Sequence, residues 1–399
     1  MKKRKKYSPL HSVHNRMLLF AVLFFTCMNV LSWNVQSFTD WYRLKVFPVW
    51  TGTLGRFCGL FPGSVGEMLI AAGIVLAAAQ VFLLPVFAGT WVVERREKAV
   101  RGGQQSNPKT SRIRLSRKWD LRLVCWILVY LYGTETLNCY MMYHASTIEE
   151  QYFDTKADYG VPELVDAYEK VVAKANVLAG QVARDAAGQA VYGGTDAQLY
   201  AACKKAMQAQ GEKYPCLSGY YPDPKPIRAS AFMSQQHLLG IYFPFTMEAN
   251  YNTVMQPVNV PATVCHEYSH VKGMILEDEA NFLGFVACIE SEEPFLQYSG
   301  YLSVLSYLAG QVRKSVPKDL RAGLTQATGQ VIADDAFLTQ KQWELVEEKA
   351  VVSTETVNRA TDVFLETNLT MNGVADGVQS YGRVVRLVLG YYQNTKLVD

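Results

Sequence analysis

Hydrophobic residues are concentrated in three long stretches within the first part of the chain. Residues 17–33 are almost entirely apolar, residues 68–93 form the longest run, and residues 123–143 are apolar apart from Glu135 and Asn138. A membrane-spanning helix needs about 20 apolar residues, so this pattern predicts three transmembrane helices. The first stretch lacks a small-residue cleavage site, so we interpret it as an anchor; a cleaved leader is the alternative.

Beyond residue 144 the pattern changes to apolar positions at helical spacing. No later stretch is long enough to span a membrane, and residues 240–245 resemble a short strand between turn residues. The stretches with helical periodicity are residues 161–187, 196–211, 302–316, 341–367 and 378–392. The sequence therefore predicts a membrane-anchored, mainly α protein. Residues 1–144 are expected to form the membrane region, and residues 145–399 a mostly helical, zincin-like domain with a small β element.

Charge separates these two parts of the chain. Residues 1–16 carry six basic side chains and no acidic one, and residues 94–122 carry ten basic and three acidic side chains. From residue 145 onward there are 20 basic and 30 acidic residues, so the net charge of +3 hides an asymmetry. Basic loops stay in the cytoplasm, so we expect residues 94–122 to be cytoplasmic and the acidic domain to be extracytoplasmic. No nucleic-acid-binding motif is present, and nucleic acid is not an expected partner.

Candidate chemistry lies in residues 266–270, which read His-Glu-Tyr-Ser-His. On a helix the two histidines of this H-E-x-x-H pattern share one face, where both can bind a single Zn²⁺. Glu267 is then placed to accept a proton from water on the metal. Only six histidines occur in the chain, which makes the spacing informative. A surface helix with ordinary polar side chains is the alternative.

A catalytic zinc site needs a third protein ligand, and acidic residues follow the motif at once. Gly273 is a typical helix stop, and a second helix is expected to begin near Glu277. In that helix Glu277 and Asn281 share a face, so one can bind the metal while the other orients a histidine. Glu279 points about 200° away from Glu277 and precedes Leu283 by four residues, so we expect it at a solvated or salt-bridged surface.

The same residues resemble motifs of known families. Glu277-x-x-Ala280-Asn281 is similar to the E-x-x-A-[D/N] element of the CAAX prenyl protease and heat-shock peptidase group and of ImmA/IrrE-type peptidases. The chain resembles more closely an uncharacterised bacterial membrane family, known by a domain-of-unknown-function label, with three helices ahead of a gluzincin-like peptidase domain. The blocks that carry this resemblance are residues 240–250, 266–273, 277–282 and 380–385. The resemblance implies Glu277 as third ligand, although Asn281 replaces the Asp of the membrane peptidases.

These observations predict a zinc-dependent metallopeptidase anchored in the lipid bilayer and acting on a peptide or protein substrate. We expect His266, His270 and Glu277 to bind zinc, and Glu267 to act as general base. In this prediction Asn281 lies behind the ligands and holds a histidine in place.

Additional residues are candidates for contact with the transition state or the substrate. Tyr381 and Arg383 are chosen for their chemical type and for the resemblance, and His237 is a weaker candidate. A structural hydrogen bond is the alternative role for each of them. The strand at residues 240–245 is expected to offer an edge for an extended peptide, with a purely structural strand as the alternative.

Two other classes of function compete with the enzyme. One is a catalytically silent receptor or scaffold that retains zinc, and the other is an interaction module in which the motif is a coincidence. The intact Glu267 favours the enzyme, because a structural zinc site needs no general base. Among the eight cysteines, Cys203 and Cys216 are candidates for a disulfide bond outside the cytoplasm, although sequence does not fix the pairing.

Overall fold

The structure is a computed structural model that describes residues 12–100, 108–153, 159–372 and 381–395. Most of these residues are helical, and three short strands form one sheet. The chain divides into two compact units. The first contains the described residues of Met1–Leu31 and Val65–Leu137, and the second those of Ser32–Ser64 and Asn138–Asp399.

The helices and strands follow one another along the chain in a simple order. They are α1 Val13–Asn34, α2 Gln36–Lys45, α3 Phe47–Trp50, α4 Arg56–Gly59, α5 Val65–Val100, α6 Pro108–Asn138, α7 Ile148–Tyr152, α8 Val161–Ala179, α9 Asp196–Ala209, β1 Lys225–Ile227, α10 Ser230–Gln235, β2 Gly240–Phe243, β3 Glu248–Asn252, α11 Val260–Val271, α12 Glu277–Ile289, α13 Pro294–Ser315, α14 Lys318–Arg321, α15 Gly329–Asp334, α16 Gln340–Glu348, α17 Thr354–Met371 and α18 Tyr381–Thr395. A π-helical turn, Thr51–Gly55, separates α3 from α4.

The first unit is built from α1, α5 and α6. Within the part of the chain that the structure describes, two helices are long and apolar enough to cross a membrane, namely Val13–Asn34 and the Val65–Val93 part of α5. Polar side chains are paired between the helices: Gln80 donates to Asp120 at 2.8 Å, and the hydroxyl groups of Thr26 and Tyr132 lie 3.0 Å apart. Such pairing lowers the cost of placing polar side chains among apolar helices.

The third predicted span is not confirmed by length and composition. The expected span at residues 123–143 corresponds to the last part of α6, which ends at Asn138, and Tyr140–His144 forms a 3₁₀ turn. The first half of α6 is strongly basic, and Glu135 interrupts the apolar half. The uninterrupted apolar part, residues 123–134, is therefore shorter than the ~20 apolar residues typical of a spanning helix, so composition alone does not identify this span.

The second unit surrounds α11 and α12 with other helices and the sheet. Ten of the 12 residues of α11 and ten of the 13 residues of α12 are buried, as expected for helices at the centre of a core. Gly284 lets the two helices approach closely, because a Cβ atom there would lie 3.1 Å from the carbonyl oxygen of Ala262 and from the amide nitrogen of His266. This close crossing brings the start of α12 next to the H-E-x-x-H residues.

The sheet has the order β1-β3-β2 and lies beside α11. Strand β1 runs parallel to β3, and β2 runs antiparallel to it, with Gly240 opposite Tyr251 and Phe243 opposite Glu248. All five residues of β3 are buried, which suits a central strand. The strand predicted near residues 240–245 is confirmed as β2, and it is an edge strand within the described sheet.

A mainly helical fold with a small β element is confirmed. The division into a membrane region and an outer domain at residue 144 stays a prediction, and the compact units group the chain in another way. The sequence assigned residues 1–144 to the membrane region, whereas the structure groups Ser32–Ser64 with the second unit. The eight cysteines are free thiols, so Cys203 and Cys216 do not form a disulfide bond. The Cys203 carbonyl oxygen lies 4.0 Å from the Sγ atom of Cys265.

Candidate metal centre

The end of α11 fixes the position of one ligand. Gly273 has a φ of 81°, a left-handed conformation that glycine adopts without steric cost, so the predicted helix stop is confirmed. The Gly273 amide donates to His270 O at 2.9 Å, and the Met274 amide donates to Ser269 O at 3.0 Å, which is the Schellman pattern. This turn brings the Met274 carbonyl back to His270, whose Nδ1–H donates to it at 2.7 Å.

The start of α12 supplies an acidic side chain from the opposite side. As predicted, α12 begins at Glu277, and its first turn holds Glu277, Asp278 and Glu279. Carboxylates are favoured there by the partial positive charge of a helix N-terminus. Asn281, one turn further along, places its Oδ1 atom 2.9 Å from Nδ1 of His266. The contacts of Asn281 and Met274 leave Nε2 of both histidines directed at Glu277.

Three potential metal ligands converge at this point. The Oε2 atom of Glu277 is 3.3 Å from Nε2 of His266, and its Oε1 atom is 3.6 Å from Nε2 of His270. One donor atom from each residue lies within 4.8 Å of the other two. Tetrahedral zinc with bonds of about 2.0–2.1 Å needs donors about 3.3 Å apart, so these residues fit a Zn²⁺ ion. The side chain of Glu277 is 54% exposed, which leaves the site accessible from the solvent.

Glu267 lies beside these ligands in a buried environment. The residue is 4% exposed, and its Oε2 atom has no hydrogen-bond partner among the described residues. Burial raises the pKa of Glu267 to about 8, and the neighbouring His266 lowers it by less. Its side chain packs against Gly240 of β2, where an added Cβ atom would be 2.5 Å from Oε1. A buried carboxyl group with a free oxygen is suited to exchanging a proton with a bound molecule.

The two acidic neighbours of Glu277 point elsewhere. Glu279 is 3% exposed, and its Oε1 atom accepts the Ile148 amide at 2.5 Å, so the predicted solvated or salt-bridged position is wrong. The reason is tertiary: Glu279 satisfies a free N–H group at the start of α7. Burial raises the pKa of Glu279 to about 8. Asp278 forms an ion pair with Arg383, whose Nε atom lies 2.9 Å from Oδ2.

A cleft of about 370 Å³ opens above the ligands. Its described lining includes His266, Glu267 and Glu277, together with Asp335, and it contains no lysine or arginine. The Asp335 carboxylate has no hydrogen bond or ion pair with the described residues, and burial raises its pKa to about 6. The described lining of the cleft therefore carries acidic side chains and no basic side chain of lysine or arginine.

The candidate substrate contacts are distributed differently from the prediction. His237 lines the cleft with a φ of 55°, and its ring packs against Phe337 and Trp343. Arg383 is not among the described lining residues and is engaged by Asp278. Tyr381 begins α18, but its side chain lies outside the described part of the structure. Asp335 was missed by the sequence analysis, because it lies 65 or more residues from the motif and belongs to no recognisable pattern.

Comparison with known proteins gives a family but no characterised relative. No curated protein and no solved structure matches the chain. A family with the description "Protein of unknown function (DUF3810)" matches residues 42–389, a range that includes all the ligand candidates. This agrees with the expected membership of an uncharacterised domain family. The chain is thus a member of the DUF3810 family of proteins of unknown function.

Proposed function

We propose that this protein is a membrane-anchored, zinc-dependent peptidase that hydrolyses peptide bonds. The observation that carries the proposal is the convergence of His266, His270 and Glu277 on one point, with buried Glu267 beside them. Zinc bound there would lower the pKa of water toward about 7 and polarise a peptide carbonyl group.

The protein side chains have distinct tasks in this proposal. His266 and His270 bind through Nε2, because Asn281 and the Met274 carbonyl occupy the Nδ1 side of each ring. Glu267 accepts the proton of the attacking water and passes it to the amine nitrogen as the peptide bond breaks. Burial raises the pKa of Glu267 above the ordinary value of a carboxyl group, which favours the donation of the proton in the second step.

The sheet offers a place for an extended peptide next to these groups. The outer edge of β2 has no partner strand in the described sheet, and Gly240 of β2 lines the cleft beside Glu267. A peptide added to such an edge is held by backbone hydrogen bonds that are independent of its sequence. Selectivity then depends on the cleft side chains, including Asp335.

The competing function is a silent receptor or scaffold that retains zinc for stability. A structural zinc site is usually closed by four protein ligands, whereas three candidates converge here and Glu277 is half exposed. A scaffold also has no use for a buried glutamate with an unpartnered oxygen, which costs stability. Both features favour the enzyme.

We further propose three membrane crossings, with the second unit outside the cytoplasm. The second unit contains chain from both sides of α5, namely residues 32–64 and the residues after 137. If α5 crosses the membrane once, the chain has to cross again through α6 to return to the same side. The basic residues 94–122 favour a cytoplasmic position for the connection.

This topology predicts the result of protease treatment of intact cells or spheroplasts. External protease should cut within residues 145–399 and spare residues 94–122. Cleavage of residues 94–122 from outside would reverse the proposed orientation, and protection of both regions would place the second unit in the cytoplasm.

The peptidase proposal is tested with the full-length protein in lipid nanodiscs. Wild-type protein and the variant Glu267→Gln are incubated with a peptide library, with and without a chelator, and their zinc content is measured. Glu267→Gln should retain zinc and lose at least about 10²-fold in rate, the contribution of a general base. The control Glu348→Gln removes an exposed carboxylate outside the cleft and should leave the rate unchanged.

Wild-type activity in Glu267→Gln would overturn the assigned role of Glu267. Zinc without any hydrolysis in the wild-type protein would support the scaffold instead.

A further inference from the structure

Residues 32–64, which we call the interfacial segment, are folded into the second unit. The segment comprises α2, α3, the π-helical turn and α4. Its inward face is fully packed: Tyr42, Phe47 and Cys58 are at most 3% exposed. Several hydrogen bonds fix it to the rest of the unit, among them those from Arg43 to the Ser146 carbonyl at 3.0 Å and from Thr51 to the Val271 carbonyl at 2.9 Å.

The exposed side of the segment carries many large apolar side chains beside polar ones such as Gln36, Lys45 and Arg56. Its exposed large apolar side chains are Trp33, Val35, Trp41, Leu44, Val49, Phe57, Leu60 and Phe61. A helix at a water-facing surface normally exposes charged side chains, as α16 does with Lys341, Glu344 and Glu348. A contiguous segment that buries one face and exposes apolar groups on the other is covered by something other than water.

The covalent connections of the segment identify what covers it. It begins with the last three residues of α1 and leads directly into α5, and these are the two helices in the described part of the chain that are long and apolar enough to cross a membrane. A connection of about 30 residues between two spans begins and ends at the bilayer surface. Tryptophan and tyrosine are enriched at that depth, because an aromatic ring can lie among the lipid chains while its polar group stays hydrated.

We propose that the interfacial segment seats the second unit on the lipid bilayer, with Trp41, Phe57 and Leu60 inserted into the interface. In this position the exposed apolar side chains contact lipid and not water. Because the buried side of the segment packs against the rest of the second unit, the whole unit is held at the membrane surface. The two basic residues Lys45 and Arg56 are exposed on the same segment and can reach lipid phosphate groups.

The segment also supports the end of the helix that carries the ligand histidines. Thr51 binds the carbonyl of Val271, the residue after His270, and Gly273 lies against Phe47 and Arg43. The interfacial segment therefore contacts the helix end that carries His270. Resting on the proposed peptidase function, this contact favours substrates that are cut close to the membrane surface.

Photo-crosslinking tests the contact between the interfacial segment and lipid without requiring any enzymatic activity. Benzoylphenylalanine replaces Trp41, Phe57 or Leu60 in the full-length protein, which is placed in nanodiscs, irradiated and analysed by mass spectrometry. The controls carry the same group in place of Leu320 or Ile332, which are 58% and 62% exposed and belong to other parts of the second unit. We expect lipid adducts at the first three positions and none above background at the controls.

Equal lipid adducts at all five positions, or adducts only to protein at the first three, would overturn the proposal. These outcomes do not depend on hydrolysis. A result against lipid contact is therefore distinct from a result against the proposed peptidase activity.

Discussion

Gly240→Ala is a sharp test of how the sheet and the candidate base fit together. The new Cβ atom would lie 2.8 Å from Cγ of Glu267, 2.8 Å from Cγ2 of Thr263 and 2.5 Å from Oε1 of Glu267. Carbon atoms in contact are ordinarily about 3.5–4.0 Å apart, so Glu267 or the strand has to move by about 0.7 Å or more.

A misplacement of about 1 Å can reduce catalysis about 10²-fold. Because the three atoms nearest to the new methyl group belong to Glu267 and Thr263 and not to a metal ligand, we expect kcat to fall by about 10- to 100-fold with zinc content unchanged. The added methyl group should also lower the free energy of unfolding by about 1–3 kcal/mol, the usual cost of overpacking.

The assay measures kcat and KM for a peptide that the wild-type protein cleaves, with zinc content and thermal stability measured on the same samples. Gly310→Ala is the matched control, because a Cβ atom at Gly310 has no neighbour within 4 Å and α13 tolerates alanine. Unchanged kcat in Gly240→Ala would refute the close packing of Glu267 against Gly240. Loss of zinc together with activity would show that the substitution acts through the metal site.

Three other substitutions probe the acidic side chains around the cleft. Glu277→Ala should lower zinc affinity by at least ~10-fold, whereas Glu279→Gln should leave it nearly unchanged; the reverse ranking in a zinc titration would reassign the ligand. The folded-state pKa of Glu279, about 8, lies above its ordinary value of 4.5, so the folded protein binds more protons between these pH values and its stability falls as pH rises. Glu279→Gln should reduce this fall by about 2–4 kcal/mol, and identical pH profiles in denaturant unfolding would contradict the buried carboxyl. Asp335→Asn should raise KM by up to about fivefold for peptides with lysine or arginine and leave neutral peptides unaffected; an equal change for both would remove Asp335 from substrate selection.

The local sequence pattern was sufficient to predict those parts of the candidate site whose residues lie within one helix turn of each other. The spacing of His266 and His270, the stop at Gly273 and the shared face of Glu277 and Asn281 all follow from helix geometry. The same helix stop places the Met274 carbonyl against the ring of His270, a contact between residues four positions apart.

Contacts between distant segments were beyond the reach of the sequence. Glu279 is buried because it binds the amide of Ile148, 131 positions earlier, and no local rule indicates that partner. Arg383 is held by Asp278, 105 positions away, so its position outside the cleft could not be derived from its residue type. Residues 32–64 join the second unit through tertiary packing, although the hydrophobic pattern alone assigns them to the membrane region.

The most direct test of the account is X-ray absorption at the zinc edge of the full-length protein. We predict one zinc ion per chain, bound by two imidazole nitrogens and by oxygen ligands at about 2.0–2.2 Å, in both the wild-type protein and Glu267→Gln. Absence of zinc would contradict the central claim. A spectrum dominated by sulfur at about 2.3 Å would contradict it as well, because it would place the metal on cysteine and not on His266, His270 and Glu277.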